Sequence, residues 1–337
     1  MLWERDDLDW ARTRLEALRA RDVEPIVTLL HHGSGPARTN LLDEHFPRLF
    51  AEYAERVGRA FPWVRRWTPI NEPLTTARFS TLYGFWYPNR VDDHAAFGQA
   101  ITNEILGIIG AMERIRAINP GAQLVMTEDL QRFTAGDAAV RDYVAHKRER
   151  MYLSAELLMG RVVPGHALYR YLTEECHVAA ARLRTIAERA TPPDVMGFNY
   201  YPHSERFLFA GEHGIQNVPS VTVEERAITP RPLLRAAYER LGLPLAISEI
   251  HVHGDETERT RWLHARVDDA VALREEGIPI VAAGAWAAFG MIDWHSVLRA
   301  RDGVVEDGIY AFARPGEVPQ PTAVSRALQS LTSVPAD

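Results

Sequence analysis

An α/β fold, a parallel sheet covered by helices, is what this sequence predicts, and three observations predict it. Apolar runs such as Ile26–Leu30, Leu124–Met126 and Leu245–Ile247 lack polar alternation, the mark of strands buried on both faces. Between them lie stretches whose apolar residues recur at helical spacing, so strand and helix alternate. No low-complexity linker and no internal repeat breaks that alternation.

The elements follow in order. Leu8, Ala11, Leu15 and Leu18 mark a helix, and Glu24–Leu30 is then read as a buried strand. A second strand ends at Asn71. Phe97, Ile101, Ile105, Ile108, Met112 and Ile115 form a long helical stripe that stops at Asn119-Pro120-Gly121. Gln123–Thr127 is the next strand, followed by a charged helix around 138–160. Asp194–Tyr200 is strand-like, and Tyr201 to about Pro230 is read as a long loop roofing a site. Leu263, Val267, Ala270 and Val271 mark a helix before the strand at Ile278–Ala283.

Six strands result, at about 25–31, 66–71, 122–128, 194–200, 244–249 and 279–286, in a single domain over 1–337. A closed (β/α)8 TIM barrel needs eight. The expectation is therefore a barrel of that type lacking strands 1 and 2 at its N-terminus. Its first and last strands would then have open edges, which favours pairing between copies and a homodimer.

Hydrophobic residues at 46% and charged residues at 25% are enough to bury a large core. The net charge of −7 is spread along the chain, which argues against a nucleic-acid partner. One cysteine, Cys176, excludes an internal disulfide framework and suits a reducing compartment. No basic-then-apolar leader opens the sequence. The uncharged run from Gly277 to Ile292 is broken by Pro279, Gly284 and Gly290, so it reads as a buried strand rather than a membrane span. A cytoplasmic protein is expected.

Two isolated carboxylates carry the chemistry. Glu72 lies in Thr68-Pro69-Ile70-Asn71-Glu72-Pro73, and Glu249 ends Leu243–Glu249; each follows a strand-like run. Glycosidic-bond cleavage needs one acid and one nucleophile or base. Strand ends of an α/β barrel converge on one face, so distance in sequence is no obstacle. Taken alone, Asn-Glu-Pro also describes a strand-to-helix turn, with Asn71 as polar cap and Pro73 opening a helix. Pro73 biases Glu72 toward extended backbone.

Other groups leave choices open. His31-His32-Gly33 suits a buried hydrogen-bonding histidine, a metal site or a sugar-hydroxyl ligand. His251-Val252-His253 with Asp255 has metal-ligand chemistry. Asn199-Tyr200-Tyr201 can be a polar and aromatic rim, and Trp286 can be core. Yet Trp286 and Trp294 flank Asp293, and an indole beside hydrogen-bonding groups suits a pyranose.

In this order the elements resemble glycoside hydrolase family 1, the retaining β-glucosidase-like family, from about Leu2 to Thr322. Thr28-Leu29-Leu30-His31 is similar to that family's strand 3 motif, and Trp67–Pro73 to its acid/base motif. Gly197–Tyr201 contains its Asn-Tyr-Tyr, and Ser248-Glu249 falls where its nucleophile stands. Trp286 through Trp294 keeps the spacing of its strand 8 motif, and Trp3-Glu4 is similar to the tail of strand 2. The wording of His31–Pro36 and Asn71–Ser80 is most similar to a bacterial subgroup often fused to a dTDP-4-dehydrorhamnose-reductase-like domain. No Gly-x-Gly-x-x-Gly occurs, so that domain is not expected here. Three departures stand out: Ile250-His251 replaces the family's Asn-Gly, Asp293 replaces a Glu, and the first strand with its sugar-binding Gln is missing.

The resemblance implies retaining hydrolysis, or transfer, of a β-glycoside, with no cofactor and no metal. Glu249 would attack the anomeric carbon, while Glu72 protonates the leaving oxygen and later deprotonates water. Tyr201, rather than Tyr200, would bond Glu249; Asn71 would reach the sugar 2-hydroxyl and His31 another hydroxyl. Trp286 would be the stacking platform, with Asp293 and Trp294 reading distal hydroxyls. Two rival readings remain: a metal-dependent barrel hydrolase using His31, His32, His251 and His253, and a non-catalytic barrel that binds sugar or a partner protein.

Overall fold

The computed structural model describes residues 8–33, 38–212, 214–219, 228–314 and 316–332. Trp3-Glu4 and the Ser34–Pro36 part of the first histidine motif lie outside the described residues. The chain begins with α1 (Asp9–Arg19), β1 (Ile26–His31), α2 (Phe46–Ala60), β2 (Arg66–Asn71), α3 (Pro73–Thr81) and α4 (His94–Ile118). There follow β3 (Gln123–Asp129), β4 (Arg132–Ala135), α5 (Arg141–Arg150), α6 (Leu153–Leu158), α7 (Ala180–Glu188) and β5 (Val195–Tyr200). Next come β6 (Glu205–Gly211), β7 (Gly214–Pro219), α8 (Arg231–Leu241), β8 (Leu245–Ile250) and α9 (Glu256–Glu275). β9 (Ile280–Ala285), β10 (Met291–Ile292), β11 (Val305–Glu306) and α10 (Ala323–Thr332) complete the chain. It divides into two compact units, Met1–Glu128 with Glu149–Met196, and Asp129–Arg148 with Gly197–Asp337.

In the first unit β1, β2 and β3 are parallel neighbours. Their register sets His31 opposite Asn71 and Asn71 opposite Thr127, so these three side chains stand level at the C-terminal strand ends. Trp67 and Ile70 of β2 are fully buried, as a continuous apolar strand demands. Helices α2 and α4 pack closely through Phe46 and Phe50, whose rings stack at 5.5 Å. Gly107 admits them: a Cβ there would lie 3.3 Å from each ring. In the second unit β5, β8 and β9 are neighbours, with β8 and β9 parallel and Ile250 opposite Ala285.

All six expected strands are present, each within a residue or so of its expected bounds. Their burial departs from expectation at the outer two. β1 and β9 are largely exposed, with Ile26 at 50% and Val281 at 57%. The reason is position: among the described residues of its unit, each pairs with one strand only. Likewise α1 has helical periodicity but buries none of its residues. On α9, Leu263 and Ala270 are buried as expected, whereas Val271 is 49% exposed and the Arg266–Asp269 ion pair takes the inner face.

Two further corrections concern the stretches that follow β3 and β5. The expected loop from Tyr201 to Pro230 instead contains β6 and β7, an antiparallel hairpin that pairs in parallel with β4. Phe133, Val140, Val144 and Leu208 form a small apolar core under this sheet. The single helix expected at 138–160 is a 3-10 turn followed by two helices, α5 and α6, separated at Met151-Tyr152.

Candidate active-site residues

Within the first unit, Glu72 is the cap of α3, and its backbone is left-handed, φ 47° and ψ 59°. The extended geometry expected from Pro73 is not adopted. A following proline biases its predecessor toward extended backbone, and the strand-to-helix turn overrides that bias here. The cap is thus Glu72 rather than Asn71, while Pro73 opens the helix as expected. The Glu72 N–H donates to the Thr127 carbonyl at 3.2 Å, and its own carbonyl accepts from Thr76. Asn71 Oδ1 accepts from Thr127 Oγ1 at 2.8 Å, and its buried Nδ2 has no partner among the described residues. His31 is exposed at the end of β1. His32, with Trp86 4.5 Å away between ring centroids, is held down to about 3 by burial and by neighbouring His31, so it is neutral near pH 7.

Two carboxylates of this unit escaped the sequence reading. Glu128 Oε1 accepts from the Leu74 N–H at 2.7 Å. Glu104, on α4, is completely buried, and burial together with Glu128 pushes its pKa well above the usual carboxylate value. The available signals were a carboxylate closing an apolar strand, as at Glu249, and a lone acid inside the Ile101–Ile105 stripe.

Within the second unit, Glu249 lies near the end of β8 and is buried. The Tyr201 phenol donates to Glu249 Oε2, whereas the Tyr200 phenol donates to Glu205 Oε1 at 2.7 Å. Asn199 Oδ1 accepts from Ser248 Oγ at 2.6 Å. Burial raises the Glu249 carboxyl to about 7; Tyr201 opposes the rise by hydrogen bonding to it, and the charge of Asp129 adds to it. Asp129, the last residue of β3, is another acid that the sequence reading passed over.

Trp286 stands at the end of β9, its N–H on the Ile250 carbonyl at 3.1 Å. Its ring centroid lies 5.3 Å from Trp294, 5.6 Å from His251 and 6.2 Å from Tyr201. One aromatic wall therefore adjoins the phenol that holds Glu249. Asp293 is buried, and its Oδ1 accepts from the Val304 N–H at 2.9 Å. His251 and His253 both face Glu306, at 3.3 and 3.5 Å. Among the described residues no three His, Cys, Asp or Glu side chains are grouped to hold a metal ion. No described helix is long and apolar enough to cross a membrane.

These are groups suited to acid–base and nucleophilic chemistry beside an aromatic surface, and comparison with known proteins agrees with that character. Residues 4–223 match the profile of glycosyl hydrolase family 1. No curated protein sequence matches the chain. Among solved structures, the family 1 β-glucosidase of Thermotoga maritima aligns with a TM-score of 0.78 at 17% identity, over 98% of this chain and 78% of that one. The same organism's β-glucosidase in complex with azafagomine gives 0.78 at 16% identity, over 96% and 77%. At such identity the likeness establishes the fold, an α/β structure of the TIM-barrel type. The profile, which spans more than half of the chain, establishes the lineage: this protein belongs to glycosyl hydrolase family 1, a family of enzymes that hydrolyse O-glycosyl bonds.

Proposed function

We propose that the chain cleaves a β-linked glycoside, or transfers its sugar, with retention, using Glu249 as nucleophile and Glu72 as acid and then base. The observation that carries this reading is the Tyr201 phenol bonded to buried Glu249, with the aromatic wall of Trp286 beside it. Retention needs the two carboxyls about 5 Å apart. Two charges at that distance repel by roughly 3 kcal/mol at an effective dielectric of 20. That is about two pKa units, enough to keep one glutamate protonated near pH 6.5. Glycosylation of Glu249 removes its charge, and Glu72 then becomes a competent base.

The remaining roles follow on the same footing. The Nδ2 of Asn71, without a partner among the described residues, suits a sugar 2-hydroxyl, His31 another hydroxyl, and Trp286 the apolar face of the ring. Asp293 and Trp294 read distal hydroxyls, Asp293 with one oxygen already committed to Val304. The kinship to the bacterial subgroup rests on the sequences His31–Pro36 and Asn71–Ser80. A single domain over 1–337 rests on the continuous strand–helix alternation. A homodimer rests on the exposure of β1 and β9, and a cytoplasmic location on the single cysteine.

The test is a crystal structure of the protein trapped with 2-deoxy-2-fluoro-β-glucosyl fluoride. It should show the sugar α-linked to Glu249, Trp286 beneath it, and the Glu72 carboxyl about 5–6 Å from that of Glu249. A gap near 9 Å points to inversion. A sugar that protects against unfolding yet never turns over points to a binding protein.

The acid limb of kcat/KM should report Glu249, which must be ionised to attack. Asp129 raises the pKa of Glu249, so removing that negative charge lets Glu249 ionise at lower pH. Asp129→Asn should therefore move the acid limb to lower pH and leave the alkaline limb in place, measured on 4-nitrophenyl β-glucoside. An unmoved acid limb removes Asp129 from this role.

A further inference from the structure

We propose that Glu128 is a positioning residue for Glu72: it caps helix α3 in Glu72's stead, so that the first turn does not hold the Glu72 carboxyl. The proposal rests on the reading of Glu72 as acid/base.

The first turn of a helix has N–H groups without helical partners, and the capping residue's own side chain ordinarily accepts one of them. Glu72 is the N-cap of α3, yet its side chain makes no capping bond. Pro73 at the first helical position has no N–H, so Leu74 presents the first donor. That donor is taken by Glu128 Oε1 at 2.7 Å, reaching over from the neighbouring strand β3. An anionic oxygen there is also favoured by the helix dipole.

The next residue back on β3 grips the same turn. The Thr127 carbonyl accepts from the Glu72 N–H, and Thr127 Oγ1 donates to Asn71. Residues 71, 72 and 74 are thus all tied to two consecutive residues of one strand. The turn needs such ties, because Glu72 holds a left-handed backbone that disfavours any residue with a side chain. Behind Glu128 stands Glu104, with neither carboxyl oxygen hydrogen-bonded among the described residues. Burial and the neighbouring Glu128 hold the Glu104 carboxyl well above the usual carboxylate value, while Glu128 Oε1 is the oxygen that accepts from the helix.

The experiment compares two β-glucosides that differ in their need for an acid. Phenol is a poor leaving group and requires protonation; 2,4-dinitrophenolate leaves without it. Glu128→Ala should lower kcat/KM about a hundredfold on phenyl β-glucoside and less than about fivefold on the dinitrophenyl substrate, since acid assistance is the part lost. Glu128→Gln, which keeps an acceptor oxygen, should recover most of the loss. In a Glu72→Ala background, Glu128→Ala should add less than about threefold, because two groups acting through one another are not additive. If Glu128→Ala does not fold, Glu128→Asp, one methylene short of Leu74, should show the same selectivity at smaller size. Equal losses on both substrates, or a full loss persisting without Glu72, overturn the proposal. If Glu72→Ala alone shows no leaving-group selectivity, the reading of Glu72 falls and this proposal with it.

Discussion

Glu249→Gly is expected to abolish hydrolysis of β-glucosides, with kcat/KM falling on the order of 10⁴-fold or more, the scale of removing a covalent nucleophile. Added azide should restore turnover of 2,4-dinitrophenyl β-glucoside and yield the α-glucosyl azide. Azide fits the space left by the carboxylate and attacks from the same side, displacing the leaving group once with inversion. Glycine also removes the group that accepts from the Tyr201 phenol, so part of any loss of stability would come from that buried hydroxyl. The product is therefore the decisive readout, taken by proton NMR: a β-azide would reassign the nucleophile.

Glu72→Ala is expected to behave in the opposite sense. Without general-acid assistance, kcat/KM on poor leaving groups should fall by about 10²–10⁴-fold. On the dinitrophenyl substrate the first step should survive and the glycosyl-enzyme should accumulate, seen as a burst of phenolate. Azide, which needs no base, should then relieve the second step and give the β-azide. An α-azide, or no burst, would mean that Glu72 does not serve as acid and base.

The parallel strands were legible because burial on both faces requires uninterrupted apolar runs, and few other settings tolerate Pro244–Ile247 or Leu124–Met126. The hairpin of β6 and β7 was not legible for the converse reason. The first four residues of β7 are exposed, so nothing in Gly214–Asn217 had to be apolar. Helix α9 was placed correctly and its Leu263 and Ala270 are inward as expected, but Val271 is not, since the buried Arg266–Asp269 pair takes part of an inner face that hydrophobicity alone cannot reveal. At the candidate site, Glu72 and Glu249 stood out as carboxylates closing apolar segments. Glu128 and Asp129 carry the same signal at the end of Leu124–Thr127, but no motif drew attention to them. Glu72's left-handed backbone was hidden because a proline restricts its predecessor without dictating which remaining well is filled.

Glu104 makes folding itself a proton-uptake reaction. In the unfolded chain near pH 7 its carboxyl is ionised, whereas in the folded protein its pKa is raised well above the usual value. The folded state binds the extra proton, so this group's contribution is full below the unfolded pKa of about 4.3 and fades as pH rises through the folded value. Unfolding at a pH between those two values should release that proton to the solvent. Calorimetric unfolding enthalpies measured at one such pH in two buffers of unlike ionisation heat should then differ, and Glu104→Gln should shrink the difference.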